Sequence, residues 1–406
     1  MTCLVIIGTP RTDYTLAQSI IQARLRGMDV ILVDRPSQLE GCRELLPDAS
    51  RIGLDQLDAK GIVEAIGGLN PRFVVSFSEF NLELAAQVRE RLDIDGPSVT
   101  AVRRTRNKHE TRSRLKACEL TQVDFQVTTL IELDKVTERF EAPFVIKPVS
   151  MTGSIGVHAV RCRAEVAAFK ARFVDPAAEE ERRRQFVIEG FIEGEEFSID
   201  GIYAAGKFHV FAVVQKRTNG FPNFAEVGHT VPARRRDDVD CGGFVAAVAA
   251  ALDLDTTPIH AELKISGRNI ELIEIHTRFG GDYIPMLIEN AFGYNVFGAY
   301  YDVLLGRQLP AVKPVRAVTG IQFLHAGELD RITRLPRAWP GVDYCLRLTR
   351  TETHDATLDH DNIRILNHRI GHIVFSAADH DLADAFIDGL HASDDAFVTG
   401  RGEVGM

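Results

Sequence analysis

The sequence predicts an α/β protein that continues into α+β structure and divides into two or three domains. Three observations carry that expectation: a βαβ alternation opens the chain, shorter strands and hairpins replace it from Asn107, and 406 residues can bury a large core. Cys3–Gly8, CLVIIG, has the apolar run of a buried strand. Tyr14–Arg26 carries apolar residues at helical spacing, and DVILVD, Asp29–Asp34, is a second buried strand. Phe73–Phe77 adds a strand and Asn81–Leu92 a helix, so the chain through about Thr105 reads as a parallel sheet covered on both faces. Gly8-Thr9-Pro10-Arg11 ends the first strand without the three-glycine dinucleotide fingerprint. That favours a structural turn, or one holding a substrate group, over an NAD site.

From Asn107 a charged helix, NKHETRSRLKAC, precedes QVDFQV, APFVIKPV, GVHAVR and RQFVIEGFI, each a short strand. Glu165–Arg184 reads as helical and charge-rich, with its DPAAEEERRRQ portion a solvated connection. EEFSIDGIYAAGKFHVFAVVQKR is two alternating strands joined across Ala205-Gly206-Lys207. After about Pro310 come strands near Val318–Leu324 and His372–Ser376 and a helix, Leu382–Leu390.

Composition narrows the function classes. Hydrophobic content of 45% and charged content of 26% fit a globular chain, and a formal charge of −10 argues against a nucleic-acid partner. The basic run Arg234–Arg236 meets Asp237 and Asp238 at once and reads as a surface turn. Six dispersed cysteines without C-x-x-C spacing suggest neither zinc nor a redox pair. The apolar stretch Cys3–Ile7 is too short for a secretory core, and no later run approaches bilayer length. A cytoplasmic protein with no membrane partner is expected.

Phe144–Val157, FVIKPVSMTGSIGV, is the stretch richest in chemistry. Val145 and Ile146 favour a strand, Pro148 stops it, and Gly153 and Gly156 free the following turn to aim its N–H groups inward. Those amides, the hydroxyls of Ser150, Thr152 and Ser154, and the Lys147 ammonium suit phosphate oxygens. Taken alone, the segment serves a plain hairpin equally well. Phe186–Asp200, FVIEGFIEGEEFSID, runs from an apolar strand into a carboxylate-rich connector able to hold a nucleoside, or simply a solvated acidic turn.

His260–Asp282 reads as two antiparallel strands about Ser266-Gly267-Arg268-Asn269. Period two puts Glu274 and His276 on one face, with Glu262 opposite them across the hairpin. Two converging carboxylates repel unless a divalent cation joins them, and magnesium bound with ATP is the natural choice. An exposed, charged hairpin face is the plainer reading.

In this order, NKHETR, VIKPVSMTGSIGV, VIEGFIEGEEFSID, and HAELK with IELIEIHTRFGG resemble the ATP-grasp superfamily of carboxylate–amine ligases, over roughly Asn107–Gly306. The branch it is most similar to is the L-amino acid ligases. The resemblance implies an ATP-grasp fold: an N-terminal Rossmann-like domain over 1–105, an ATP-grasp domain of two subdomains over 106–310 with its clamp at about 142–215, and a lid-like α+β region over 311–406. It also implies that Lys108 and Lys147 contact phosphates beneath a loop containing Ser150, Thr152, Gly153, Ser154 and Gly156. Glu189, Phe191 and Ile192 would border the adenine, Glu196 the ribose, and Lys216 would assist at the phosphates. Glu262 and Glu274 match the paired magnesium ligands, with manganese as the alternative ion. Arg278 matches the arginine that steadies the acyl phosphate, with Gly280 and Gly281 beside the substrate.

His276 departs from the pattern, which usually has asparagine there. Its nitrogen suits a hard cation poorly, so it orients a carboxylate, faces the amine substrate, or is merely packed. FPNFAEVGHTVPA, Phe221–Ala233, resembles a segment of the amino-acid-joining branch and makes Glu226 and His229 candidates for substrate recognition; a structural loop is the alternative. The implied reaction is ATP-dependent amide formation between small-molecule carboxylate and amine substrates through an acyl phosphate, with a homodimer as the default assembly. A carboxylating or formyl-phosphate ligase, and an ATP-binding regulatory protein without catalysis, are the rival readings.

Overall fold

In the computed structural model, residues 2–173, 183–234, 239–309, 313–325, 335–336, 338–348 and 369–391 are described. The opening alternation forms a parallel sheet from β1 (Thr2–Ile7), β2 (Met28–Asp34), β3 (Arg51–Gly53) and β4 (Phe73–Val75), in the order β3-β2-β1-β4. Alternation along β1 buries both faces: Leu4 and Ile6 pack with Ile20 and Leu32, while Val5 and Ile7 pack with Ile62 and Val88. The helix Asp13–Leu25 follows β1 and is capped by Thr12, whose side chain accepts from the Thr15 N–H. Gly8 makes the turn between them at φ +80°, and a Cβ there would sit 2.0 Å from Asn81.

An antiparallel sheet of β5 (Phe125–Thr129), β6 (Phe144–Pro148), β7 (His158–Val160) and β8 (Gln185–Gly190) runs in the order β5-β8-β6-β7. Its core is Phe144, Ile146, Phe169, Phe186 and Ile188. Helix Ala164–Phe173 covers one side; the acidic and basic connection expected beyond it falls largely on 174–182, outside the described residues. The helix Lys108–Ala117 starts on Asn107, whose side chain accepts from the His109 and Glu110 N–H groups. This cap fixes Lys108 in the first turn, where its N–H donates to the Val149 carbonyl at 2.9 Å.

The remaining strands build one large sheet: β9 (Glu195–Ala204), β10 (Lys207–Thr218), β11 (Glu226–Val231), β12 (Thr257–Ser266), β13 (Asn269–His276), β14 (Val318–His325), β15 (Val342–Leu348) and β16 (Arg369–Ala377). Their order is β13-β12-β9-β10-β11-β14-β16-β15. The strands expected after Pro310 therefore extend this sheet, because β11 pairs with β14. The segment with a loop as one of its two readings is a strand from Glu226 onward, paired on both edges. Of the basic run, Arg234 is exposed and bonds Asp381 and Asp384; 235–238 lie outside the described residues. Among the described residues no helix is long and apolar enough to cross a membrane.

Candidate active site

Two cavities meet at the β12–β13 hairpin. The first, about 700 Å³ of empty space, lies between the small antiparallel sheet and the large one and is lined by Lys108, Lys147, Glu189, Phe191, Ile192, Glu196, Glu262 and Glu274. The second, about 1250 Å³, is lined by Arg11 and Glu79 of the N-terminal layer, by Glu226, His229, His276, Arg278, Gly280 and Gly281, and again by Glu262 and Glu274. The two carboxylates are thus a shared wall.

Sheet register puts them there. Glu262 is the direct cross-strand partner of Glu274, and His260 of His276. Like charges opposed in a ladder repel, but each here has a cation: Lys216 Nζ lies 2.7 Å from Glu262, and Lys108 Nζ 2.8 Å from Glu274. Burial would raise the Glu262 carboxyl, yet Lys216 and His260 bring it down to about 2. Glu274 is likewise held well below its ordinary range, against burial, by Lys108 and His276. Ligand atoms of Glu262, Glu274 and His276 lie within 4.8 Å of one another. Two ionised, converging carboxylates are the oxygen donors that a hard divalent cation takes, so this pair fits magnesium.

His276 lies between two carboxylates, its Nδ1 3.0 Å from Glu79 and its Nε2 3.4 Å from Glu274. His260 repeats the arrangement, with Nδ1 3.0 Å from Asp200 and Nε2 3.3 Å from Glu262. Burial alone would lower its pKa, but Asp200 and Glu262 lift it to about 9.

In the first cavity, β6 delivers Lys147 into a buried pair. Its Nζ donates to one oxygen of Glu189 at 2.5 Å, and Arg112 Nε donates to the other at 2.8 Å. Burial pushes the Lys147 pKa down and Glu189 opposes it; the two cations hold Glu189 at about 2 against burial. Both carboxylate oxygens of Glu189 are thus engaged within the chain. Lys216, on β10, is ringed by Glu226, Glu262 and, at 3.5 Å, Glu196. Burial, with Glu262 and Glu226 outweighing Lys216, pushes the Glu196 carboxyl up to about 7.

The Gly-rich loop takes left-handed backbone at Gly153 (φ +64°), Ser154 (φ +56°) and Gly156 (φ +74°). Ser154 lines the first cavity and Thr152 and Gly153 the second, so the loop spans both; Ser150 and Gly156 are not among the lining residues of either. Behind it Phe191, Phe221 and Phe224 cluster with ring centroids 5.0–5.9 Å apart, and Lys264 Nζ sits 4.8 Å above Phe191.

In the second cavity, Glu226 ion-pairs with Lys216 and lies 3.6 Å from His229. His229 is fully buried; burial, Lys216, Arg217 and Arg369 outweigh Asp282 and bring it down to about 3, so the ring is neutral at physiological pH. Arg369 donates to Asp282 at 2.9 Å and to the Glu226 carbonyl at 2.7 Å. Gly280 is required by space, since a Cβ would lie 2.8 Å from Asp200 and 2.9 Å from His260, while Gly281 has nothing within 4 Å. Glu79, Asp200, His260, Phe224 and Lys264 join the site without having been singled out from sequence. Period two already put His260 on the Glu262 face; nothing local marked Glu79.

Residues 140–286 match the ATP-grasp domain family. That segment is similar to an ATP-grasp domain. Alanine--anticapsin ligase of Bacillus subtilis is 26% identical over 272 residues, covering 60% of this chain and 57% of that protein. The chain therefore matches little more than half the length of this curated relative. An L-amino acid ligase from Bacillus licheniformis superimposes with TM-score 0.76 at 21% identity, covering 96% of this chain and 97% of the other. N5-carboxyaminoimidazole synthetase from Staphylococcus aureus gives TM-score 0.72 at 15% identity, covering 96% and 97%. Over nearly the whole chain the fold is that of these two structures.

Proposed function

We propose that this ATP-grasp protein is a carboxylate–amine ligase that forms an amide bond through an acyl phosphate, with an amino acid as at least one substrate. The shared wall carries the reading: two cavities meet at Glu262 and Glu274. Phosphoryl transfer between two bound molecules needs the donor and acceptor sites to touch where the metal sits. The similarity to proteins named alanine--anticapsin ligase and L-amino acid ligase supports an amino-acid substrate.

A substrate carboxylate oxygen attacks the γ-phosphorus of ATP as the bond to the bridging β–γ oxygen breaks, and ADP leaves. The substrate amine then attacks the acyl carbon, gives up its proton, and inorganic phosphate departs. Lys108, Lys147 and Lys216 offset charge on the phosphates, while Arg278 holds the acyl phosphate from the substrate side. Glu262 and Glu274 would hold magnesium, or manganese in its place, which supplies charge neutralisation at the transferred phosphoryl group. The Ser150–Gly156 loop excludes water that would hydrolyse the intermediate. Small-molecule carboxylate and amine are the partners.

The test is ADP release with ATP, Mg²⁺ and pooled amino acids, with products weighed by mass spectrometry. Amino-acid-dependent ADP and a dipeptide mass are expected. ADP release with bicarbonate or formate as the only donor, and none with amino acids, would overturn the reading.

A further inference from the structure

His260 and His276 are stacked cross-strand partners, their ring centroids 6.0 Å apart, and each links a metal-site carboxylate to a second buried carboxylate. Asp200, which serves His260, comes from the neighbouring strand β9. Glu79, which serves His276, comes from the turn Glu79–Asn81 that follows β4 in the N-terminal layer. Its oxygen Oε2 lies 3.0 Å from His276 Nδ1 and also accepts from Arg278 Nε at 2.8 Å. The other oxygen accepts from Arg106 Nε at 3.3 Å.

Only 9% of Glu79 is exposed, so its charge depends on these three partners. Arg278 commits Nε to Glu79 and Nη1 to the Phe279 carbonyl at 2.9 Å, and a planar guanidinium with two donors fixed has its direction in the cavity wall fixed as well. His276 in turn lies 3.4 Å from Glu274 through Nε2.

We propose that Glu79 is a positioning residue: one carboxylate of the N-terminal layer orients Arg278 directly and Glu274 through His276. It thereby ties the group that meets the acyl phosphate to one that meets the metal. The inference rests on the ligase reading for its kinetic arm only. A plain docking role, in which the cluster merely holds the layer against the sheet, predicts different results.

The experiment uses the full chain and Glu79→Gln, which keeps shape and removes charge. Affinity for a non-hydrolysable ATP analogue is measured by calorimetry with and without Mg²⁺, alongside the melting temperature. Loss of a residue that orients a metal ligand should shrink the Mg²⁺-dependent gain in affinity by about tenfold and leave the metal-free affinity unchanged. In the kinetic arm, Glu79→Gln and Arg278→Lys should be non-additive in kcat, with KM for ATP moving less than kcat. An unchanged Mg²⁺ gain, or kcat losses that simply add, would overturn the proposal. Should Glu79→Gln fail to fold, His276→Gln carries the same test: a wild-type Mg²⁺ gain there also overturns it. If wild type shows the Mg²⁺ gain but no amino-acid-dependent ADP, the ligase reading has failed and the binding arm still decides this one.

Discussion

Lys108 Nζ lies 2.8 Å from Glu274 Oε2, so a lysine suited to phosphate sits on a carboxylate suited to metal, and Lys216 bears the same relation to Glu262. Both pairs are mostly buried, and each cation compensates a carboxylate that its cross-strand neighbour repels. A metal would take the carboxylates and the nucleotide's phosphates the lysines, so each group would again face an opposite charge. Removing one carboxylate keeps its lysine but loses the metal. Glu262→Gln and Glu274→Gln should each lower Mg²⁺-dependent ADP formation by about 100-fold or more, read from steady-state rates across a Mg²⁺ titration. Rates within a few fold of wild type would remove these residues from the metal site.

The pair Lys147–Glu189 predicts a stability effect separable from catalysis. Both residues are 3% exposed, so Lys147→Met leaves a buried carboxylate with Arg112 alone. The loss should be about 3 kcal/mol in urea unfolding, the low end for breaking a buried pair because Arg112 remains. Adding Glu189→Gln should recover part of that stability and none of the affinity for an ATP analogue. Full ATP turnover by Lys147→Ala would refute the phosphate role.

What the sequence made legible was what local patterns encode. Period two along β13 put Glu274 and His276 on one face, whereas Glu262 meets Glu274 only because the register shifts between Glu262 and Leu263, and a proline ending an apolar strand marked where Lys147 leaves it. Glu79 was invisible because its partners Arg106, His276 and Arg278 come together only when the N-terminal layer packs on the sheet. Glu226–Val231 is bracketed by Pro222 and Pro232 and contains Gly228, residues that suit a loop. Pairing with β10 and β14, the latter from far along the chain, makes it a strand. The same long-range pairing carries the C-terminal strands into the large sheet.

His229 gives a pH signature. Its ordinary value of 6.5 falls to about 3 in the folded chain because burial, Lys216, Arg217 and Arg369 disfavour the imidazolium more than Asp282 favours it. Between those values the unfolded chain binds the extra proton, so stability is full above about pH 6.5 and is lost as the pH falls toward about 3. His229→Gln removes that dependence. Its urea midpoint should therefore fall less steeply than wild type on acidification from pH 6.5. Parallel curves would mean that the imidazole is not held neutral by the fold.

The loop Ser150–Gly156 makes the last prediction, because it borders both cavities and carries three successive demands on left-handed backbone, at Gly153, Ser154 and Gly156. An alanine at Gly153 adds a Cβ penalty of roughly 1–2 kcal/mol to this conformation. If that conformation is the one that covers the phosphates, Gly153→Ala should raise KM for ATP by roughly tenfold, the rate equivalent of that penalty, with the melting temperature little changed. Hydrogen exchange supplies the independent measurement. Amides of residues 151–156 should exchange freely in the isolated chain and become protected with Mg²⁺ and an ATP analogue, while those of β6 stay protected throughout. Equal loop protection in both conditions would mean that the loop is a fixed wall, and exclusion of water from the acyl phosphate would then have to come from another element.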